Sequence, residues 1–358
     1  MGNTVHNNSI TVAKAIGIIL MVMGHSGCPQ VIFKFIYLFH MPLFFFCSGI
    51  FYKEISTKAS VEAYLKKRIM GLYIPFIKWS IFFLLLHNIF LLIGIYNPYY
   101  GYEGRFSFYS ISDIFQRLSM ILFKMNGYEE QLGGFWFLRS LFISCLLIAG
   151  VSFIFRCDSR YKYWFLCVLF LFATIIIRRI VPNIEFWREI SMGCLGATFY
   201  MLGYLLMPFT RYWQNKYSCL VFYSSLLFFF CYFKAGVSMG CGYNKVLPFT
   251  LSAISGTLFV IYLSKQLEDK TSLIKRILYY MGNHTLVILA LHFLSFRFVS
   301  YLFAIIYSIN VVHVAEHPFI KNIGSIPSYG WIIYCFAGIV IPLLLNRVWQ
   351  IIINIIQK

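Results

Sequence analysis

The feature that most constrains this chain is a recurrence of apolar runs of about twenty residues, separated by short polar or glycine- and proline-rich connections. A helix rising about 1.5 Å per residue crosses a hydrocarbon layer about 30 Å thick in such a run. Inside lipid, only helices and closed barrels satisfy every backbone polar group. Ten runs are predicted to span, at approximately 10–27, 31–51, 70–95, 134–155, 161–180, 191–209, 217–234, 246–264, 284–308 and 328–354. The expected fold is therefore an all-α integral membrane protein, a bundle of about ten transmembrane helices forming one domain over residues 1–358. No internal repeat is visible, which speaks against a transporter built from inverted halves.

Composition agrees with this reading. Charged residues make up 12% of the chain, against about 25% in soluble domains. The net charge of +18 would suggest a nucleic-acid partner in a soluble protein. In a membrane protein it reflects cytoplasmic lysines and arginines facing anionic lipid, so the expected partner is the bilayer and no nucleic acid. One set of alternate connections carries fourteen lysines and arginines and the other carries ten, a bias that places both termini in the cytoplasm. No charge precedes Lys14, so the basic start of a signal peptide is missing and the first span is expected to stay in the mature chain. The ten cysteines are scattered in apolar runs without metal-type spacing, and they read as small packing residues with no metal expected. The longest connection, about 96–133, contains "YSISDIFQRLSMILFKM", whose helical alternation predicts an amphipathic helix along the outer membrane surface.

Ionisable residues inside spans cost about 2.5–3.5 kcal/mol each on insertion scales and face the protein interior. They therefore mark the positions that could carry chemistry. In "KAIGIILMVMGH", Lys14 and His25 are eleven residues apart. Eleven steps of about 100° bring them onto one helix face, about 16 Å apart along the axis. Glycines 17 and 24 lie on or near that face. In "FHMPLFFFCSGIF", Pro42 is expected to interrupt the second span just after His40 and about two turns before Ser48 and Gly49. His40 and His25 are candidates for a proton-handling pair. In "EAYLKKRIMGLYIP", Lys67 and Arg68 belong to a basic cluster that reads either as a positive-inside anchor or as a seat for a phosphorylated ligand. In "GGFWFLRSLF", Trp136 and Arg139 lie three apart. Arg139 is expected to bind an anion or to pair with a carboxylate from the region of Glu185 and Glu189. In "YYMGNHTLVILALHFL", Asn283 or Thr285 is expected to cap a helix that carries His292 about two turns in. Arg297 is a further in-span charge. Serine-elbow, phosphate-loop and zinc-protease motifs are missing, and no span holds paired carboxylates.

Taken in order, "KAIGIILMVMGHS", "FHMPLFFFCSGIFYK", "YLKKRIMGLYIP", "GFWFLRSLF" and "MGNHTLVILALH" resemble the membrane-bound acyltransferase family 3, in particular the branch of sugar O-acetyltransferases such as fucose 4-O-acetylases. The resemblance covers nearly the whole chain, and its first two blocks are the most specific. It implies a ten-span bundle in a bacterial inner membrane that moves acetyl from acetyl-CoA to a hydroxyl of a cell-envelope glycan or lipid-linked sugar. It also implies that His25 is the essential histidine and that Lys14 stands where relatives carry arginine or lysine. Many relatives have two arginines three apart before the third span. Here the first is Arg68 and the second position is Gly71. In this reading His25 is the general base and Lys14 orients a carboxylate or stabilises developing negative charge, with His40, Ser48, Trp136, Arg139 and His292 on the substrate side and Lys67 and Arg68 toward the donor. The alternative from composition is a proton-coupled transporter or flippase of a lipid-linked sugar.

Overall fold

The computed structural model describes residues 2–100, 107–155, 161–213, 223–224, 227, 238–268, 273–321, 324 and 326–357. In chain order the helices are α1 (Gly2–His25), α2 (Gln30–Tyr37), α3 (His40–Ile50), α4 (Lys58–Arg68), α5 (Ile74–Leu92), α6 (Ile111–Lys124), α7 (Trp136–Ile154), α8 (Tyr161–Ile180), α9 (Glu185–Trp213), α10 (Val246–Glu268), α11 (Leu273–Asn283), α12 (Thr285–Ile306) and α13 (Gly330–Ile356). Among the described residues there is no strand, and nine segments are long and apolar enough to cross a membrane. They match nine of the ten expected spans. The expected span at 217–234 lies almost wholly outside the described residues.

Three local expectations are corrected. The second span does break, but at Leu38–Phe39, between α2 and α3, and not after His40. Pro42 falls in the first turn of α3, where its missing N–H would have had no helical partner, so it starts the helix instead of interrupting it. The third span begins earlier than 70. The basic cluster is itself helical as α4, capped by reciprocal bonds between Thr57 and Ser60. It runs into α5 through a π turn at Ile69–Tyr73, placed where Pro75 has no N–H to offer the Gly71 carbonyl. The N-cap of α12 is His284 with no side-chain cap bond, so neither Asn283 nor Thr285 serves.

The chain forms two compact units from interleaved segments. The first comprises residues 1–20, 30–73 and 137–283, and the second 21–29, 74–136 and 284–358. In the first unit α9 packs against α3 and α8, and α10 packs against α3. The α3–α9 crossing brings backbone against backbone: a Cβ on Gly49 would fall 1.8 Å from the Tyr200 carbonyl oxygen, and one on Gly203 would fall 2.1 Å from that of Phe46. Small residues at such crossings let helices gain dispersion contacts where lipid offers no hydrophobic drive to associate.

In the second unit α12 packs along α13, and a 3-10 turn at Glu130–Phe135 packs against α12. The expected amphipathic helix is α6, held against α5. Its start is fixed by a reciprocal capping box between Ser110 and Asp113. The same bonds hold the Asp113 carboxyl below its ordinary range. Ile121 is its buried residue, while Ile111, Phe115 and Phe123 are exposed, which suits a helix lying in an interface.

Candidate active site

The last turn of α1, α12, the 3-10 turn and the 307–329 connection bring a set of ionisable side chains together within the second unit. His25 is the last residue of α1, at the end where unsatisfied carbonyls give the helix partial negative charge. Its ring is half-buried and packs against His292 at 5.6 Å and Phe293 at 5.1 Å between centroids. His292 is fully buried. Its Nδ1 lies 3.2 Å from the Ile288 carbonyl and 3.0 Å from that of Leu289. Carbonyls only accept, so Nδ1 carries the proton and Nε2 carries the lone pair. That Nε2 has no hydrogen-bond partner among the described residues. A buried acceptor left in this state is costly, by about 1–3 kcal/mol, unless something bound to the site satisfies it.

Behind this pair lies a charged network. The Arg297 guanidinium is 1% exposed. It donates through Nη1 to the carbonyls of Val314, at 2.9 Å, and Glu316, and through Nη2 to Glu130 Oε1 at 2.5 Å. His317 Nδ1 sits 3.0 Å from the same Glu130 oxygen, and the His317 ring packs 4.5 Å from Phe293. Burial lowers the His317 pKa, and Glu130 opposes that shift. The 3-10 turn that supplies Glu130 also presses Gly134 and Gly133 onto α12. A Cβ on Gly134 would fall 2.7 Å from Leu289, and one on Gly133 would fall 3.2 Å from Phe293. Immediately before this turn, Glu129 pairs with buried His87 at 2.9 Å. His87 Nε2 lies 3.1 Å from the Ser107 carbonyl, and its ring is stacked 3.4 Å from Tyr109.

The other expected site residues have local roles in the first unit, apart from Trp136. Lys14 shares the continuous helix α1 with His25 eleven residues on, which preserves the spacing read from sequence. It is half-buried. His40 donates Nδ1–H to the Ile36 carbonyl at 2.9 Å. Ser48 donates to the Phe44 carbonyl at 2.9 Å, a bond inside its own helix. Arg139 pairs with Glu189 at 2.7 Å, one of the two carboxylates expected for it. Trp136 begins α7 and is half-buried. Lys67 and Arg68 diverge: Lys67 is exposed, whereas Arg68 turns inward, its Nη2 2.5 Å from the Tyr200 hydroxyl and its guanidinium over the Tyr64 ring. A Cβ on Gly71 would meet nothing within 4 Å.

Glu130 and His317 were absent from the sequence expectation. Glu130 could have been found as one of two adjacent acids standing just before an apolar run, but His317 lies in a polar connection where nothing distinguishes it. His87 is an in-span histidine that the rule applied to the other spans would have flagged. Among the described residues no three histidine, cysteine or carboxylate side chains converge as a metal site.

Comparison with family models matches residues 7–347 to an acyltransferase domain. Comparisons with curated proteins and with solved structures return no match.

Proposed function

The chain belongs to the membrane-bound acyltransferase family 3, and on that premise we propose that it transfers acetyl from acetyl-CoA to a hydroxyl of a cell-envelope glycan or lipid-linked sugar. It is a multi-pass membrane protein, and the proposal places it in a bacterial inner membrane with both termini in the cytoplasm. The observation that carries the reading is His25 packed on His292, whose Nε2 lone pair is buried and without a partner among the described residues.

A sugar hydroxyl is a poor nucleophile at neutral pH. In the proposed reaction His25 takes the hydroxyl proton as its oxygen bonds to the thioester carbonyl carbon. The C–S bond then breaks, and the proton passes from His25 to the departing CoA thiolate. The products are O-acetyl sugar and CoA. His292 Nε2 accepts a hydrogen bond from the group bound beside His25. Lys14 supplies positive charge on the same helix, for the donor. It is a point charge without the two-pronged geometry of arginine. The CoA phosphates are assigned to the basic cluster of Lys67 and Arg68, of which Lys67 is exposed and Arg68 reaches the Tyr200 hydroxyl. No observation favours a proton-coupled transporter over this reading.

The test is incubation of the purified protein in lipid nanodiscs with radiolabelled acetyl-CoA and a pool of cell-envelope glycans. Label moves to glycan with the wild type and not with His25→Ala. Transfer at the wild-type rate by a folded His25→Ala protein would sink the assignment.

A further inference from the structure

Two cavities open in the second unit, and their walls differ in chemistry. One, of about 250 Å³, is lined by Leu291, Leu294, Phe298, Ile341 and Leu345 among others. Phe298 and Leu345 are exposed on an apolar surface, so this cavity reads as a crevice facing lipid tails. The other, of about 420 Å³, lies beside the turn that follows α1 and the start of α13. Its walls include Ser26, Gly27, Phe319, Ser328, Trp331 and Tyr334.

We propose that this second cavity seats the pyranose ring of the acceptor. Among the described residues its lining carries no charged side chain, so it does not suit the phosphates of the acyl donor. What it offers is flat aromatic surface together with hydroxyls and turn backbone. A ring with apolar C–H faces and a rim of hydroxyls matches that combination, whereas a lipid tail would use only the aromatic part of it. The size falls within the range of about 300–1,000 Å³ usual for small-ligand sites.

The walls are fixed in place. The Tyr334 hydroxyl is hydrogen-bonded to Ser300 at 3.0 Å, and its ring packs against Phe296, which packs against His292. Gly27 takes φ +85°, and a Cβ there would fall 2.6 Å from the Phe319 ring. The glycine therefore both makes the turn and leaves Phe319 its position on the wall. Ser26 directly follows His25, so the cavity begins one residue, about 3.8 Å along the backbone, from the proposed base.

The location of the seat rests on the transferase reading for its meaning, but its occupancy can be read without turnover. Saturation-transfer NMR on the full-length protein in nanodiscs would use methyl pyranosides of hexoses and 6-deoxyhexoses as probes, with butanol as the apolar control. Saturation is expected on the ring C–H protons for the wild type. It falls roughly tenfold for Trp331→Ala, with partial return in Trp331→Phe, since removing a stacked aromatic weakens binding by about 1.4 kcal/mol. Gly27→Ala, which displaces Phe319, weakens it as well. Phe298→Ala, in the lipid-side crevice, leaves it unchanged. Absence of saturation in the wild type, equal saturation in folded Trp331→Ala, or stronger saturation of butanol than of the pyranosides would overturn the proposal. If Trp331→Ala loses pyranoside binding while His25→Ala still transfers acetyl, the seat stands and the assignment of the base falls.

Discussion

Replacing Glu130 with glutamine tests whether the charged network of the second unit is held by charge or merely by shape. The side chain keeps its size and one carbonyl oxygen for Arg297 and His317, so what is removed is the negative charge 2.5 Å from the Arg297 guanidinium. Arg297 is 1% exposed, and its other Nη1 contacts are the neutral carbonyls of Val314 and Glu316. Two unit charges about 4 Å apart attract by about 4 kcal/mol at an effective dielectric of about 20. Stripping a buried charge of its partner costs about 3–5 kcal/mol. The expected loss is therefore about 3 kcal/mol, or more than a hundredfold in the folding equilibrium at about 1.4 kcal/mol per factor of ten. The assay is unfolding by sodium dodecyl sulfate in mixed micelles, followed by near-UV circular dichroism. The double variant Glu130→Leu, Arg297→Met removes both charges and should lie within about 1 kcal/mol of the wild type, because replacing a buried pair with apolar groups is often neutral. An unchanged unfolding midpoint for Glu130→Gln, or a double variant as unstable as the two single losses combined, would refute the argument.

Three further outcomes can be measured. His292→Phe keeps an aromatic ring but removes the Nε2 acceptor, and it should lower single-turnover acetyl transfer by roughly tenfold, the loss of one hydrogen bond worth about 1.4 kcal/mol, in a protein that still folds. A wild-type rate would remove His292 from the site. Arg139→Ala combined with Glu189→Ala should destabilise by less than the sum of the two single losses, with a coupling of about 1–3 kcal/mol in a double-mutant cycle; additive losses would mean that the 2.7 Å pair contributes little. Stability should fall as pH drops from about 7.5 to about 5.5. Burial holds the His317 pKa below its ordinary 6.5 against the pull of Glu130, with Arg297 and Lys321 adding to the lowering. The folded chain therefore binds fewer protons than the unfolded one, and the loss begins as pH falls through about 6.5. His317→Gln should flatten that slope, and an unaltered slope would assign it to other groups.

The spans were legible because the bilayer imposes a length and a composition that can be counted directly, and nine of the ten expected spans match described helices. What sequence misplaced were backbone details decided over three or four residues. The proline rule predicted a break at Pro42, but a proline in a first turn costs nothing, and the break sits at Leu38–Phe39. The amphipathic segment in the long connection was readable from its alternation, and it appears as α6, with a capping box at its start. The crossing of α3 and α9 was not readable, because nothing in "CSGIF" says that the glycine will meet a carbonyl 151 residues later.

The site was legible where a rule of cost applied. A charge inside a span must have a partner, and with 12 acidic residues for 30 basic ones the choice for Arg139 narrowed to Glu185 or Glu189, of which Glu189 is the one it meets. The same scarcity carries further than the sequence reading took it. Acids are so few that two side by side before an apolar run point to basic partners, and Glu129 and Glu130 are both taken by buried bases: Glu129 by His87, Glu130 by Arg297 and His317. The glycines that follow them press the same turn onto the helix carrying His292. "YEEQLGGFW" thus ties the charges of α5, α12 and the 307–329 connection to one short turn, and a substitution there should disturb the imidazoles beside His25 more than one at Ser48, whose hydroxyl is spent on its own helix.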